Sequence, residues 1–152
     1  MSKVPLVPPF NLETAKLRAK VGQNIWNSLD YEQIYPAYTA DSVWRNRDRI
    51  VIGTEEIIKF IKEKFAKEKG YQVRKELFAY TDNKIAVQFW YEFHDETGQW
   101  YRTIGIDAWT FAENGQVSKR QMSCNDVKIS ESDRWFKDGV DVDTVHIPAE
   151  YW

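Results

Sequence analysis

The sequence has few of the residues that usually carry metal, redox or disulfide chemistry. Cys124 is its only cysteine, so no disulfide can close within the chain and no cysteine-rich metal site can form. Its two histidines, His94 and His146, show no ligand spacing, and no metal is expected. Charge of one sign is also missing. The 21 Lys and Arg nearly balance the 23 Asp and Glu, for a formal net charge of -2, and no basic stripe recommends nucleic acid as a partner. No apolar run approaches membrane-spanning length, and "MSKVPLVPPF" is too short an apolar run for a signal peptide. The expectation is a cytoplasmic protein with no cofactor and no membrane or nucleic-acid partner. At 152 residues, the chain suits one domain over 1–152 with a real core.

Aromatic residues are abundant, at 15% with seven Trp. Large rigid rings fill cores first, but they also line pockets for apolar or aromatic ligands. Helical spacing runs from Leu12 to Leu29 behind the N-cap candidate Asn11. Asp30 caps a short second helix, and Thr54 to Phe65 reads as a third with Thr54 as its cap. Between them, "DSVWRN" and "RIVIG" read as short extended pieces. From Tyr71 the period changes to two, through "YQVRKELFAYT", "KIAVQFWYEFHD", "QWYRTIGIDAWTFA" and "QVSKRQMSCND". Asn114-Gly115 is the strongest hairpin signal in the chain. The tail over 127–152 is irregular, with a short helix expected around Ser130 to Phe136. Helices followed by a meander predict an α+β fold, in which about six antiparallel strands curve around three N-terminal helices and leave a conical cavity.

Pairing strands through their turns sets the faces. Across Glu96-Thr97-Gly98, Glu92 faces Arg102 and Val87 faces Asp107. Across Asn114-Gly115, Asp107 faces Met122 and Trp109 faces Arg120. A slip of one residue would reverse every assignment. In this register Asp107 points inward among Phe89, Tyr91 and Trp109, with Arg120, Met122, Cys124 and Asp126 on the same face, and Glu76 is a further inward acid from the first long strand. On "VWRNR" the inward face is taken to be Trp44 and Asn46. A buried carboxylate needs a partner or a proton. Desolvation would raise the pKa of Asp107 and Arg120 would lower it. Two readings stay open: a buried ion pair that fixes the sheet, or a general acid or base in a water-poor pocket. Cys124 reads as a small buried hydrophobe, with no histidine placed to activate it. The opposite face carries Trp90, Trp100, Arg102, Ile104 and Ile106, too apolar for water. It should pack against a second copy as a twofold dimer or lie under the tail "VHIPAEYW".

"AYTADSVWRNR", "KELFAYTDNKIAV", "YEFHDETGQWYR" and "SCNDVKISESDRWF" span nearly the whole chain, and on them the sequence resembles the nuclear transport factor 2-like superfamily, in a mainly bacterial branch without established activity. The resemblance implies a cone-shaped α+β barrel with a deep pocket, usually homodimeric. It does not imply one reaction, since that superfamily includes isomerases, dehydratases, epoxide hydrolases, polyketide cyclases and pure binding proteins. The chain departs from the branch pattern Gly-Asn-Glu-x-Trp, reading Gly105-Ile106-Asp107-Ala108-Trp109, and from its arginine- and aspartate-rich ending over Gly139 to His146. Three functions remain open. One is a cofactor-free acid-base enzyme of isomerase, dehydratase, cyclase or hydrolase type, acting on a small apolar or aromatic compound. Here Asp107 is acid or base, Arg120 its tuner and Asp126 a second candidate, while Trp26, Tyr38, Trp44, Asn46, Glu76, Phe89, Tyr91, Trp109, Met122 and Cys124 shape the ligand site. Another is a ligand-binding or stress-related protein without chemistry. The third is a structural dimer.

Overall fold

A computed structural model describes residues 6–152. The reading of the N-terminal stretch begins at Met1, and its residues 1–5 lie outside those described. Helix α1 spans Leu12–Asn27, α2 Tyr31–Ile34 and α3 Gly53–Lys67. The strands are β1 Tyr38–Asn46, β2 Arg49–Ile52, β3 Lys69–Tyr80, β4 Lys84–His94, β5 Trp100–Phe111 and β6 Val117–Ile129. They form one curved, unclosed sheet in the order β2-β1-β6-β5-β4-β3. Every pairing is antiparallel except β1 with β6, which is parallel and corrects the wholly antiparallel expectation. The meander carries the chain from β3 back to β6, and β6 then takes β1 rather than β3 as its second neighbour, so the sheet stays open.

Local chemistry explains where the helices start. The Asn11 side chain accepts the Thr14 backbone N–H at 2.9 Å, and the Thr14 hydroxyl accepts the Asn11 N–H at 2.9 Å. Asp30 likewise accepts the Glu32 N–H at 2.9 Å ahead of α2. Thr54 does not cap α3: the helix begins one residue earlier, after Ile52, whose backbone N–H is accepted by the Glu56 side chain at 3.1 Å. The helical residues expected between Ser130 and Phe136 shrink to a single 3₁₀ turn, Glu131–Asp133.

The register that decides the faces is observed. Val87 pairs with Asp107, Glu92 with Arg102, Asp107 with Met122 and Trp109 with Arg120. The last two pairs arise by compensation. The hairpin is closed by Ala112 N–H donating to the Gln116 carbonyl at 2.8 Å, and Phe111 pairs with Val117, one residue off the two-residue turn. A bulge then restores the expected pairing from Thr110 and Lys119 onward.

The inner face meets α1 and α3 in a core of aromatic and branched side chains, including Trp26, Trp44, Ile57, Ile61 and Trp109. Two glycines allow the close approaches. A Cβ on Gly22 of α1 would lie 2.9 Å from the Trp109 ring, and one on Gly105 of β5 would lie 2.6 Å from the Phe89 ring. Outside the sheet, Phe136, Val142 and Ile147 pack on Trp90. Glu92, fully buried, anchors that cover. Its carboxylate accepts Arg102 Nη2 at 2.8 Å and the backbone N–H groups of Trp135 and Phe136 at 3.1 and 2.8 Å. The outer surface assigned to a dimer is therefore largely covered by the chain's own tail. Trp90, Trp100 and Arg102 are buried and Ile104 is half-buried, while Ile106 alone of that set is open, at 42% exposure.

Candidate functional site

Each long strand sends a side chain to one chamber beneath the helices. Lys75 comes from β3, Phe89 and Tyr91 from β4, Asp107 from β5, and Arg120 and Met122 from β6. Asn46 of β1, Trp26 of α1 and Lys64 of α3 close it. The chamber has a cavity volume of about 10 Å³, room for one water-sized molecule. Asn46, Lys64 and Tyr91 also line a second cavity of about 330 Å³ that opens at the rim, so these side chains form the partition between chamber and vestibule. The vestibule is wide enough for a small ligand.

Asp107 is 1% exposed. Its Oδ2 accepts Arg120 Nε at 3.2 Å and lies 3.6 Å from Lys75 Nζ. Its Oδ1 has no partner among the described residues, nor has Arg120 Nη1. An orphaned buried polar atom costs about 1–3 kcal/mol, so both atoms are places where a ligand or water gains a hydrogen bond. Burial lowers the pKa of Lys75 to about 7, even though Asp107 works in the opposite direction and Arg120 adds to the lowering. Its ammonium lies 5.1 Å from the Trp109 ring centre. Burial also acts to lower the pKa of Arg120, but Asp107, Tyr38 and Tyr71 together bring it above its ordinary value.

The partition carries its own charges. Lys64 Nζ is 2.8 Å from Glu68 and donates to the Tyr91 hydroxyl at 3.3 Å. Burial raises the pKa of Tyr91, against the influence of Lys64. At the rim, Arg47 adopts a left-handed φ of 60° in the turn from β1 to β2, and its guanidinium reaches Asp126 at 2.7 Å.

The structure brings together Trp26, Asn46, Phe89, Tyr91, Asp107, Arg120 and Met122 around the chamber. Other expected site residues lie elsewhere. Asp126 stands at the exposed end of its strand, bonded to Arg47 and the Thr103 hydroxyl, and lines the vestibule instead. Burial works to raise its pKa, and the Arg47 and Thr103 hydrogen bonds bring it below the ordinary carboxylate value. Glu76 points away from the cone to Lys20 and Arg74, each at 2.8 Å. Its expected inward place belongs to Lys75, because Lys75 pairs with the inward Phe89 while Glu76 pairs with Gln88. Tyr38 and Trp44 are packed core, with ring centres 4.7 Å apart. Trp109 is buried behind the chamber wall against Gly22. Cys124 is half-buried, and burial pushes its thiol up to about 11, which suits an inert side chain. Lys64, Tyr71 and Lys75 were missed. Counting across the Asp82-Asn83 turn sets Glu76 opposite Phe89, and the irregularity between Leu77 and Ala79 of β3 moves Lys75 into that inward place.

A model of a family described as "Protein of unknown function (DUF1348)" matches residues 8–137. The chain belongs to that family. This DUF1348 member has the nuclear transport factor 2-like fold, seen in its likeness to three solved structures. One is the epoxide hydrolase/cyclase-like enzyme SalBIII, from pyran ring formation in the polyether salinomycin. It has a TM-score of 0.64 and 14% identity, covering 74% of this chain and 92% of that one. Another is Rv0760c from Mycobacterium tuberculosis in complex with estradiol-17beta-hemisuccinate, with a TM-score of 0.63 and 17% identity, covering 73% and 94%. The third is an NTF2-like protein of unknown function from Burkholderia pseudomallei K96243, with a TM-score of 0.65 and 15% identity, covering 73% and 91%. No curated protein matches the chain. Among the described residues, no cluster of His, Cys, Asp and Glu could hold a metal, and no helix is long and apolar enough to cross a membrane.

Proposed function

We propose that this protein is a cofactor-free acid-base catalyst, in which a small apolar or aromatic molecule enters through the vestibule and meets Asp107. The observation that carries the reading is the unpartnered Oδ1 of Asp107, buried on the chamber wall beside Lys75. In this scheme Oδ1 takes a proton from the carbon next to a carbonyl. Lys75 and Arg120 stabilise the oxygen on which charge develops, and the proton returns to the same or a neighbouring carbon. Lys75, with a pKa of about 7, can donate or accept a proton near neutrality. An isomerase-type reaction completes in this way, and in a hydrolase-type reaction the same carboxylate would take its proton from a water instead. A small-molecule role is supported by the fold's use in an epoxide hydrolase/cyclase-like enzyme and in a protein that holds a steroid ester. A binding protein without chemistry is the second reading, favoured by the chamber's volume of about 10 Å³, which admits no organic group unless Asn46, Lys64 or Tyr91 moves.

We further propose a cytoplasmic homodimer. Its contact would use the half of the outer sheet surface that the tail leaves free, where Val43, Ile50, Ile52 and Ile106 are exposed.

The catalytic reading is tested by incubating β-tetralone with the protein in heavy water and following exchange of its α-protons by NMR. The wild type should accelerate exchange. Asp107→Asn should reduce that acceleration by about 10²–10⁴-fold while β-tetralone still quenches tryptophan fluorescence. Acceleration that survives Asp107→Asn would reject Asp107 as the base. Binding without any exchange would favour the second reading.

A further inference from the structure

Arg18 of α1 is 6% exposed. The other buried cations each have an acidic partner: Arg74 with Glu76, Lys75 and Arg120 with Asp107, Arg102 with Glu92, and Arg134 with Asp138. Arg18 has none among the described residues, and its Nη1 donates to no hydrogen-bond partner among them. Residues 1–5, outside those described, are Met, Ser, Lys, Val and Pro and bring no carboxylate side chain. The guanidinium is held between aromatic rings, 5.4 Å from the centre of Trp109 and 5.2 Å from that of Phe111. Stacking offsets part of its desolvation but satisfies none of its in-plane donors. A buried, unpaired cation is one of the costliest arrangements a fold can keep.

Arg18 also lines a cavity of about 350 Å³ between α1, the 3₁₀ turn Tyr35–Ala37 and the turn from β5 to β6. This cavity lies at the far end of the sheet from the vestibule, on the Phe111 side of Asp107 rather than the Asp126 side. Arg18 is the only charged side chain among the described residues that line it. Val21, Ile25, Pro36 and Ala37 make its walls apolar, and the Gln116 and Asn114 amides stand at its edge.

We propose that this cavity is a second ligand site, for a small molecule with one carboxylate and an apolar body, whose carboxylate pairs with Arg18. A single guanidinium matches a monoanion, and a bidentate carboxylate fits its fork of donors. A phosphate dianion would call for a second cation, and none lines the cavity among the described residues. Burial lowers the pKa of Arg18, against a smaller opposing influence of Tyr38, which is consistent with a cation awaiting its counter-charge.

The test titrates the protein with hexanoate, using hexanol, sodium chloride and inorganic phosphate as controls, and reads Tm and tryptophan fluorescence. A ligand specific to the folded state raises Tm in a saturable way. Hexanoate should do so in the wild type and in Asp107→Asn, which separates this site from the chamber, and the controls should not. Arg18→Met keeps the stem between the rings, and should bind hexanoate at least about tenfold more weakly while being more stable than the wild type without ligand. Val21→Glu puts a carboxylate on an exposed cavity wall, three residues from Arg18. It should also lose the response, and it keeps the test decisive if Arg18→Met does not fold. The proposal is overturned by no saturable response in the wild type, by an equal response in either variant, or by an equal response to phosphate.

Discussion

Lys75 carries the clearest consequence at the residue scale. Its folded pKa of about 7 lies below its ordinary value of 10.5. Below pH 7 both folded and unfolded chains hold the proton, and the folded state bears the full cost of a buried ammonium. Between 7 and 10.5 the folded chain has released the proton while the unfolded chain keeps it, so stability rises with pH. Above 10.5 both are neutral and the gain is complete. The slope is about 1.4 kcal/mol per pH unit within that window. Lys75→Met should lack it. Urea denaturation of both proteins between pH 7 and 9 should therefore show the wild type gaining on the variant. Tyr71 and Tyr91, raised above their ordinary values by burial, stay protonated across that range and leave the comparison clean. Parallel pH profiles for the two proteins would show that Lys75 is not a perturbed amine.

At the scale of elements, Glu92 joins β4 to the tail. It is surrounded by Arg102 and two backbone N–H groups, so Glu92→Gln leaves a buried guanidinium without its counter-charge. The expected loss is about 3–5 kcal/mol in urea denaturation. It should come with faster tryptic cleavage at Lys137, since the residues that pack on Trp90 would detach. Equal stability and equal cleavage would mean that the tail is held by its apolar contacts alone. The strands show how much was legible. Alternation and turn counting placed Asp107, Arg120 and Met122 on one face because each strand there is long and its period is unambiguous. The Asn114-Gly115 hairpin was correct at Asp107 only because a bulge offsets the turn, and sequence carries no mark of that bulge. Glu76 was misplaced because counting across Asp82-Asn83 sets it opposite Phe89, while a register shift between Leu77 and Ala79 gives that place to Lys75. Parallel pairing of β1 with β6 joins residues about eighty apart, and no local signal reports it.

For the whole molecule, the same chain presents a covered half and a free half on its outer surface. Trp90 and Trp100, which composition alone would offer to a partner, lie under or beside the tail, and the open apolar positions are Val43, Ile50, Ile52 and Ile106. If the proposed dimer uses that free half, light scattering should give a dimer for the wild type and a monomer for Ile106→Arg, with a lower thermal midpoint that no longer depends on protein concentration. A monomeric wild type would remove the dimer from the account. Two basic groups lie over Trp109, Lys75 of the chamber lining and Arg18 of the far cavity's lining, with ring distances of 5.1 and 5.4 Å.

The central claim is that the chamber holds a reactive group at neutral pH, and NMR titration of the Lys75 side chain tests it without any substrate. Methylene carbon shifts followed from pH 5 to 11 should give a midpoint near 7. In Asp107→Asn the midpoint should fall further, because a nearby carboxylate favours the ammonium. A midpoint near 10.5, or one that Asp107→Asn leaves unmoved, would contradict the account and leave Asp107, Arg120 and Lys75 as a structural ion cluster.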